Sequence, residues 1–135
     1  MMASRQVEEQ TYLTKALESL RGAESEYASG RYNNTANRAY YACFLAAVAA
    51  MAHEGAGQDS KRSHSHMQVD FVSELIDRLE VYPRELRPIL KQAEDLRLKA
   101  DYAVEAVSAQ GAARALNKAR AFVGAVEARV SGRAQ

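Results

Sequence analysis

The chain has 135 residues, 26% of them charged and 47% apolar, with 18 Lys and Arg against 17 Asp and Glu. That length can bury a real core without disulfide or metal staples, and the mixture is that of an ordinary globular chain. A formal net charge of +1 argues against a nucleic-acid binder that works by bulk positive charge and leaves room only for a local basic patch.

Met1 to Gln10 carry no apolar run, so no signal peptide is read there and a cytoplasmic location is expected. From about Val7 to Ala28 the spacing predicts an amphipathic helix with Leu13, Leu17, Leu20 and Tyr27 inward and Glu8, Glu9, Glu18 and Glu24 outward. Gly30 stops it. Asn33 or Asn34 can accept the free first-turn amides of a second helix, which extends to about His53 before Gly55 and Gly57 break it. Asn33-Asn34-Thr35 also matches the glycosylation sequon, but capping fits better in a chain without an export signal.

The rest of the chain is organised around the run Arg38 to Met51 within that second helix, which opens on one charge and is otherwise nearly free of polar residues. Tyr40, Phe44, Val48 and Met51 recur on one side, and the alanines keep the rod thin enough for helices to approach on several sides. At ~14 apolar residues the run is too short to span a bilayer, which takes ~20, so no membrane role is expected. Cys43 reads as a small core hydrophobe with no disulfide role. Arg38 either stays at the surface or turns inward against an acid or a ligand.

Gly55 to His66 is a long polar stretch, expected to form a mobile loop over about 55–65. A third helix is predicted from near Met67, with Val72, Leu75, Ile76 and Leu79 inward, until Tyr82-Pro83 ends it. Pro88 fits only a helix start, so the fourth helix is expected from near Arg87 after a turn over Pro83 to Leu86. Ile89, Leu90, Ala93, Leu96, Ala100, Ala103, Val104 and Val107 then form one long inward stripe. Ser108 can cap a fifth helix buried through Leu116, Ala119, Phe122, Val123, Val126 and Val130. No strand pattern appears. The expectation is an all-α chain, a single domain over 1–135 with its core at about 7–130, built as an up-and-down bundle of about five helices.

Two clusters could carry chemistry. Arg97 and Asp101 lie four apart on the fourth helix beside the apolar stripe, with Tyr102 following; they form either a surface ion pair or one wall of a cleft. His64 and His66, with Asp70, could contribute to a metal site, but the spacing is weak and no further His or Cys lies nearby to complete a tetrahedron. His66 could instead be a cap, or an imidazole able to take and give protons near neutrality. No Gly-rich phosphate loop, Gly-x-Ser-x-Gly or paired-Cys motif is present, and no cofactor or resident metal is implied. Lys61, Arg62, Arg84, Arg87 and Arg97 give scattered positive charge, while Arg114, Lys118 and Arg129 read as a solvated face.

Asn37-Arg38-Ala39-Tyr40-Tyr41-Ala42, His66-x-x-Val69-x-Phe71 and Leu96-Arg97-x-x-Ala100-Asp101-Tyr102, in that order, resemble the HEPN family, most closely its small single-domain prokaryotic branch. The resemblance implies a bundle that dimerises, with a cleft lined by the fourth helix. Many such proteins are metal-independent endoribonucleases, often toxins encoded beside a small nucleotidyltransferase that neutralises them. Their motif places a polar residue after an Arg and then a His four to six positions on; here Arg97 leads instead to Asp101 and Tyr102.

Metal-free RNA cleavage needs a base for the 2′-hydroxyl, a cation for the phosphorane charge and a proton for the leaving oxygen. The resemblance then implies Arg97 as the cation, His66 as base or acid, Asp101 orienting Arg97, and Arg38 and Tyr41 as binding residues. Tyr102 would hydrogen-bond a phosphate or receive a nucleotide from a partner transferase. Two other readings stand beside it: a catalytically silent module that binds a nucleotidyltransferase or a nucleotide, and a buried polar network that fixes helix register.

Overall fold

The computed structural model describes residues 2–56 and 64–132. Five α-helices lie among them: α1 (Met2–Ala28), α2 (Tyr32–His53), α3 (His64–Asp70), α4 (Ile89–Tyr102) and α5 (Ala109–Val130), with no strand. The expected all-α bundle is therefore the observed architecture. No helix among the described residues is long and apolar enough to cross a membrane.

α2 is the axle, touching α1, α3, α4 and α5. The cause is its composition. Ala39, Ala42, Ala46, Ala47, Ala49 and Ala50 are buried around more than one side, so neighbouring backbones come close wherever a larger side chain would hold them off. Tyr40, Met51 and Cys43 fill the remaining depth. Burial pushes the Cys43 thiol up to about 12, which makes it the inert core residue its setting predicts. The expected seam is only partly right, since Phe44 and Val48 are half-buried.

α1 ends where Gly30 takes a left-handed φ of 76°, as glycine readily does. Neither Asn33 nor Asn34 caps α2, because the helix begins at Tyr32 and places both inside its first turn. Asn33 Oδ1 instead accepts the Val107 amide at 2.9 Å, and Asn34 Nδ2 donates to Glu26 at 3.2 Å.

The third helix starts at His64, earlier than Met67, and continues as a π-helical segment, Phe71–Arg78. Hydrogen bonds running i→i+5 bring Ile76 nearly under Phe71, where an α-helix would turn it about 140° away. Phe71, Leu75 and Ile76 are all buried as a result, and the expectation fails only at Leu79, which is exposed. The segment ends at Arg78, and Glu80, between it and Tyr82-Pro83, adopts φ 53°. Most of the predicted 55–65 loop lies outside the described residues.

A 3-10 turn (Arg84–Leu86) leads into α4, which starts two residues after the predicted Arg87. α4 also ends sooner than its stripe suggests. Ala103 is extended and Val104 is fully exposed, while Val107 is buried with Ala36 and Ala112 in a small cluster against which Leu96 and Ala100 of α4 also pack. The Asn33 bond to the Val107 amide draws the chain back toward α2, which a continuing helix could not do. Ser108 caps α5 as expected, its Oγ accepting the Gly111 amide at 3.0 Å.

The far ends of α1, α2 and α5 are fastened by ions. Glu9, expected to face solvent, is buried with Oε2 2.5 Å from His53 Nδ1. Arg129, expected on a solvated face, donates to Glu54 at 2.7 Å. Both are corrected by the same fact: α1 and α5 flank the C-terminal end of α2, so charges there face one another. Tyr82 is buried beside this cluster, and burial, with Glu54 next, pushes its hydroxyl well above the usual range.

Candidate functional site

About 20 Å along α2 from that clamp, measured by helix rise, the first turns of α2 face the last turns of α4. Arg38, Tyr40 and Tyr41 come from α2, and Glu94, Arg97 and Asp101 from α4. On α4, Glu94, Arg97 and Asp101 follow one another at three- and four-residue steps, which stack them on a single face.

Arg97 is the centre of the arrangement. Its guanidinium lies 5.0 Å from the Tyr40 ring centroid and 5.9 Å from that of Tyr41. Nη1 donates to Asp101 Oδ2 at 3.1 Å. The side chain is only 17% exposed against 33% for Asp101, so this is not the wholly solvated surface pair that sequence spacing allows. Cation–π contacts contribute ~0.5–1 kcal/mol when exposed and ~2 kcal/mol when desolvated, so two rings hold this cation more firmly than the ion pair alone would. Arg97 Nε is buried with no hydrogen-bond partner among the described residues.

Arg38 stays at the surface, the first of its two possible placements. Its guanidinium lies 5.8 Å from the Tyr41 ring, and Nη2 donates to Asn37 Oδ1 at 3.1 Å. Tyr41 thus carries one guanidinium from its own helix and another from α4. Tyr40 lies edge-on to Tyr41, with centroids 5.1 Å apart, and is itself buried. Burial, with Glu94 next, pushes the Tyr40 hydroxyl up to about 12, against the opposing pull of Arg97. At neutral pH it is therefore a protonated phenol.

The sequence-expected residues divide accordingly. Arg97, Asp101, Arg38 and Tyr41 are brought together. Tyr102 is 80% exposed at the last position of α4, outside the shielded part of the cluster. His66 is exposed on α3, where Met67 and Phe71 form the inward face, Gln68 flanks it on the Tyr40 side and His66 lies on the other flank. Of the metal trio, the side chain of His64 lies outside the described residues. Sequence reasoning missed Gln68 and Glu94 and took Tyr40 only as core. The available signal was a polar Gln between the buried positions Met67 and Phe71, opposite a tandem of tyrosines following an Arg.

What the cluster can do follows from its donors. A planar cation held against aromatic faces keeps its remaining N–H groups fixed, and a second guanidinium on the neighbouring ring adds charge at the rim. Fixed guanidinium donors match phosphate and carboxylate oxygens. Aromatic rings beside them also suit the stacking of unpaired bases. A family model described as HEPN domain matches residues 10–129, a span that takes in every residue of this cluster. No curated protein matches the chain.

Proposed function

The chain belongs to the HEPN domain family, and from that premise we propose that it is the toxin-type member of a toxin–antitoxin pair that acts on RNA, gripping a backbone phosphate with Arg97 and Arg38 across the Tyr40–Tyr41 platform. The observation that carries this reading is the shielded Arg97, held by two rings and Asp101 with Nε still unpartnered among the described residues. Asp101 fixes the guanidinium and Tyr41 shares it with Arg38. HEPN domains commonly dimerise, and a homodimer is the working state under this proposal.

In the catalytic form of the proposal the grip serves metal-independent cleavage. Arg97 neutralises the charge that builds on the phosphorane, and His66 removes the 2′-hydroxyl proton or supplies one to the leaving oxygen. The other form is a silent module that binds RNA or a nucleotidyltransferase partner. It is favoured by the placement of His66, whose flank of α3 is not the one Gln68 turns toward Tyr40. Tyr102, exposed at the end of α4, is the hydroxyl such a transferase would modify.

The test is a ribonuclease assay with chelator present, run beside RNA binding for the intact protein, Arg97→Ala and His66→Ala. The catalytic form predicts cleavage lost in both variants, with binding lost only in Arg97→Ala. Binding without cleavage selects the silent form. Equal binding by all three rejects the phosphate grip.

A further inference from the structure

Between α3 with its π-helical continuation and the first turns of α4 runs an open groove of about 430 Å3, lined among others by Gln68, Val69, Val72, Ser73, Leu90 and Lys91. Its size falls among small-molecule sites, which span ~300–1,000 Å3. Val69, Val72 and Leu90 give it aliphatic surface, while Ser73, Lys91 and the Arg87–Asp77 ion pair add exposed polar groups to the lining; Val69 is 64% exposed although it is a large apolar residue.

Of the polar residues in that lining, Gln68 is the buried one. It is only 9% exposed, and its Nε2 has no hydrogen-bond partner among the described residues. A buried amide donor left unpaired forfeits its solvation, and a ligand oxygen would restore it. The same side chain lies beside Tyr40, whose ring lies under Arg97. On α4, Leu90, Glu94 and Arg97 follow at four- and three-residue steps, so the groove and the phosphate grip share one helix face.

We propose that this groove is the nucleobase subsite of the phosphate grip, with Gln68 as its specificity-determining residue. The inference rests on the reading that Arg97 and Arg38 hold an RNA phosphate. A nucleobase has apolar faces and a polar edge, and the groove offers aliphatic surface from Val69, Val72 and Leu90 with one buried donor, Gln68, on the side of the phosphate cations. Only an unpaired base exposes its edge to such a slot, so the ligand is single-stranded RNA. The unpartnered atom is a donor, so it selects a base carbonyl. Uracil offers carbonyls on its edge, whereas adenine has none and presents an amine that would oppose the amide N–H.

The experiment compares labelled oligo(U) and oligo(A) of equal length by fluorescence anisotropy, without metal, on the intact protein, Gln68→Met, Gln68→Glu and Arg97→Ala. The expected result is oligo(U) bound about tenfold more tightly than oligo(A) by the intact protein, the scale of one buried hydrogen bond. Gln68→Met keeps the side-chain length without the amide, and Gln68→Glu keeps the shape without the donor. Each should lower oligo(U) binding to the oligo(A) level. Arg97→Ala should weaken both oligonucleotides alike. Equal binding of the two by the intact protein, or a uracil preference surviving both Gln68 changes, would overturn the subsite while leaving the phosphate grip standing. Binding of neither oligonucleotide would overturn both.

Discussion

Arg97 is useful because it is planar as well as charged. Lysine would keep the charge but could neither lie flat on two tyrosine rings nor hold Asp101 while presenting further fixed donors. Arg97→Lys should therefore lose most of the RNA affinity that Arg97→Ala loses, while urea midpoints place its stability within about 1 kcal/mol of the parent, the usual size of a partly exposed pair. Affinity retained by the lysine variant would mean that charge alone matters there. Buried acids make a second residue-scale statement. Cys43 is raised from 9.0 to about 12, Tyr40 from 10.0 to about 12, and Tyr82 is raised too, in each case chiefly by burial. The folded state keeps protons that the unfolded chain releases, so stability is fully present below about pH 9 and falls as pH climbs toward 12. Cys43→Ala should move the onset of alkaline unfolding from near 9 toward the ordinary tyrosine value of 10.0, followed by circular dichroism against pH. An unchanged onset would show that the thiol is not the first group to titrate.

At the scale of elements, α2 carries the bundle through what its alanines leave out. Ala49 has no exposed surface, and a larger side chain there must push a neighbouring helix away. Ala49→Leu should destabilise by about 1–3 kcal/mol, the usual cost of overpacking, read from denaturant midpoints. A neutral effect would mean that the helices around α2 are loosely seated. The ends of the elements were less legible than their interiors. The Ser108 cap could be read because its signal is local, a hydroxyl three residues before the amide it accepts. The end of α4 could not, because what turns the chain there is Asn33, 74 positions away, accepting the Val107 amide. The π-helical segment was hidden for a related reason: Val72, Leu75 and Ile76 satisfy ordinary helical spacing well enough, and only the joint burial of Phe71 and Ile76 demands the wider turn.

At the scale of the whole molecule, one apolar rod with partners on several sides was enough to indicate an all-α bundle, because an Ala-rich helix has no other way to bury itself. The site was half visible. Arg97 with Asp101 follows from a four-residue step on one helix, whereas the apposition of Tyr40, Tyr41, Gln68 and Arg97 depends on how α2, α3 and α4 pack, which no local pattern encodes. Glu9 and Arg129 show the same limit in reverse, as charges assigned to solvent that pair across helix ends. The molecule then divides its polar groups by position along α2: an ion clamp at the C-terminal end and a cationic, aromatic platform near the N-terminal one.

That platform is the central claim, and the salt dependence of RNA binding tests it most directly. Two guanidiniums on one phosphate path should give a log–log slope of about −1.4 for single-stranded RNA, at roughly −0.7 per phosphate contact, falling to about −0.7 in Arg97→Ala. The same slope in both proteins, or no measurable binding by the intact protein at low salt without metal, would contradict it.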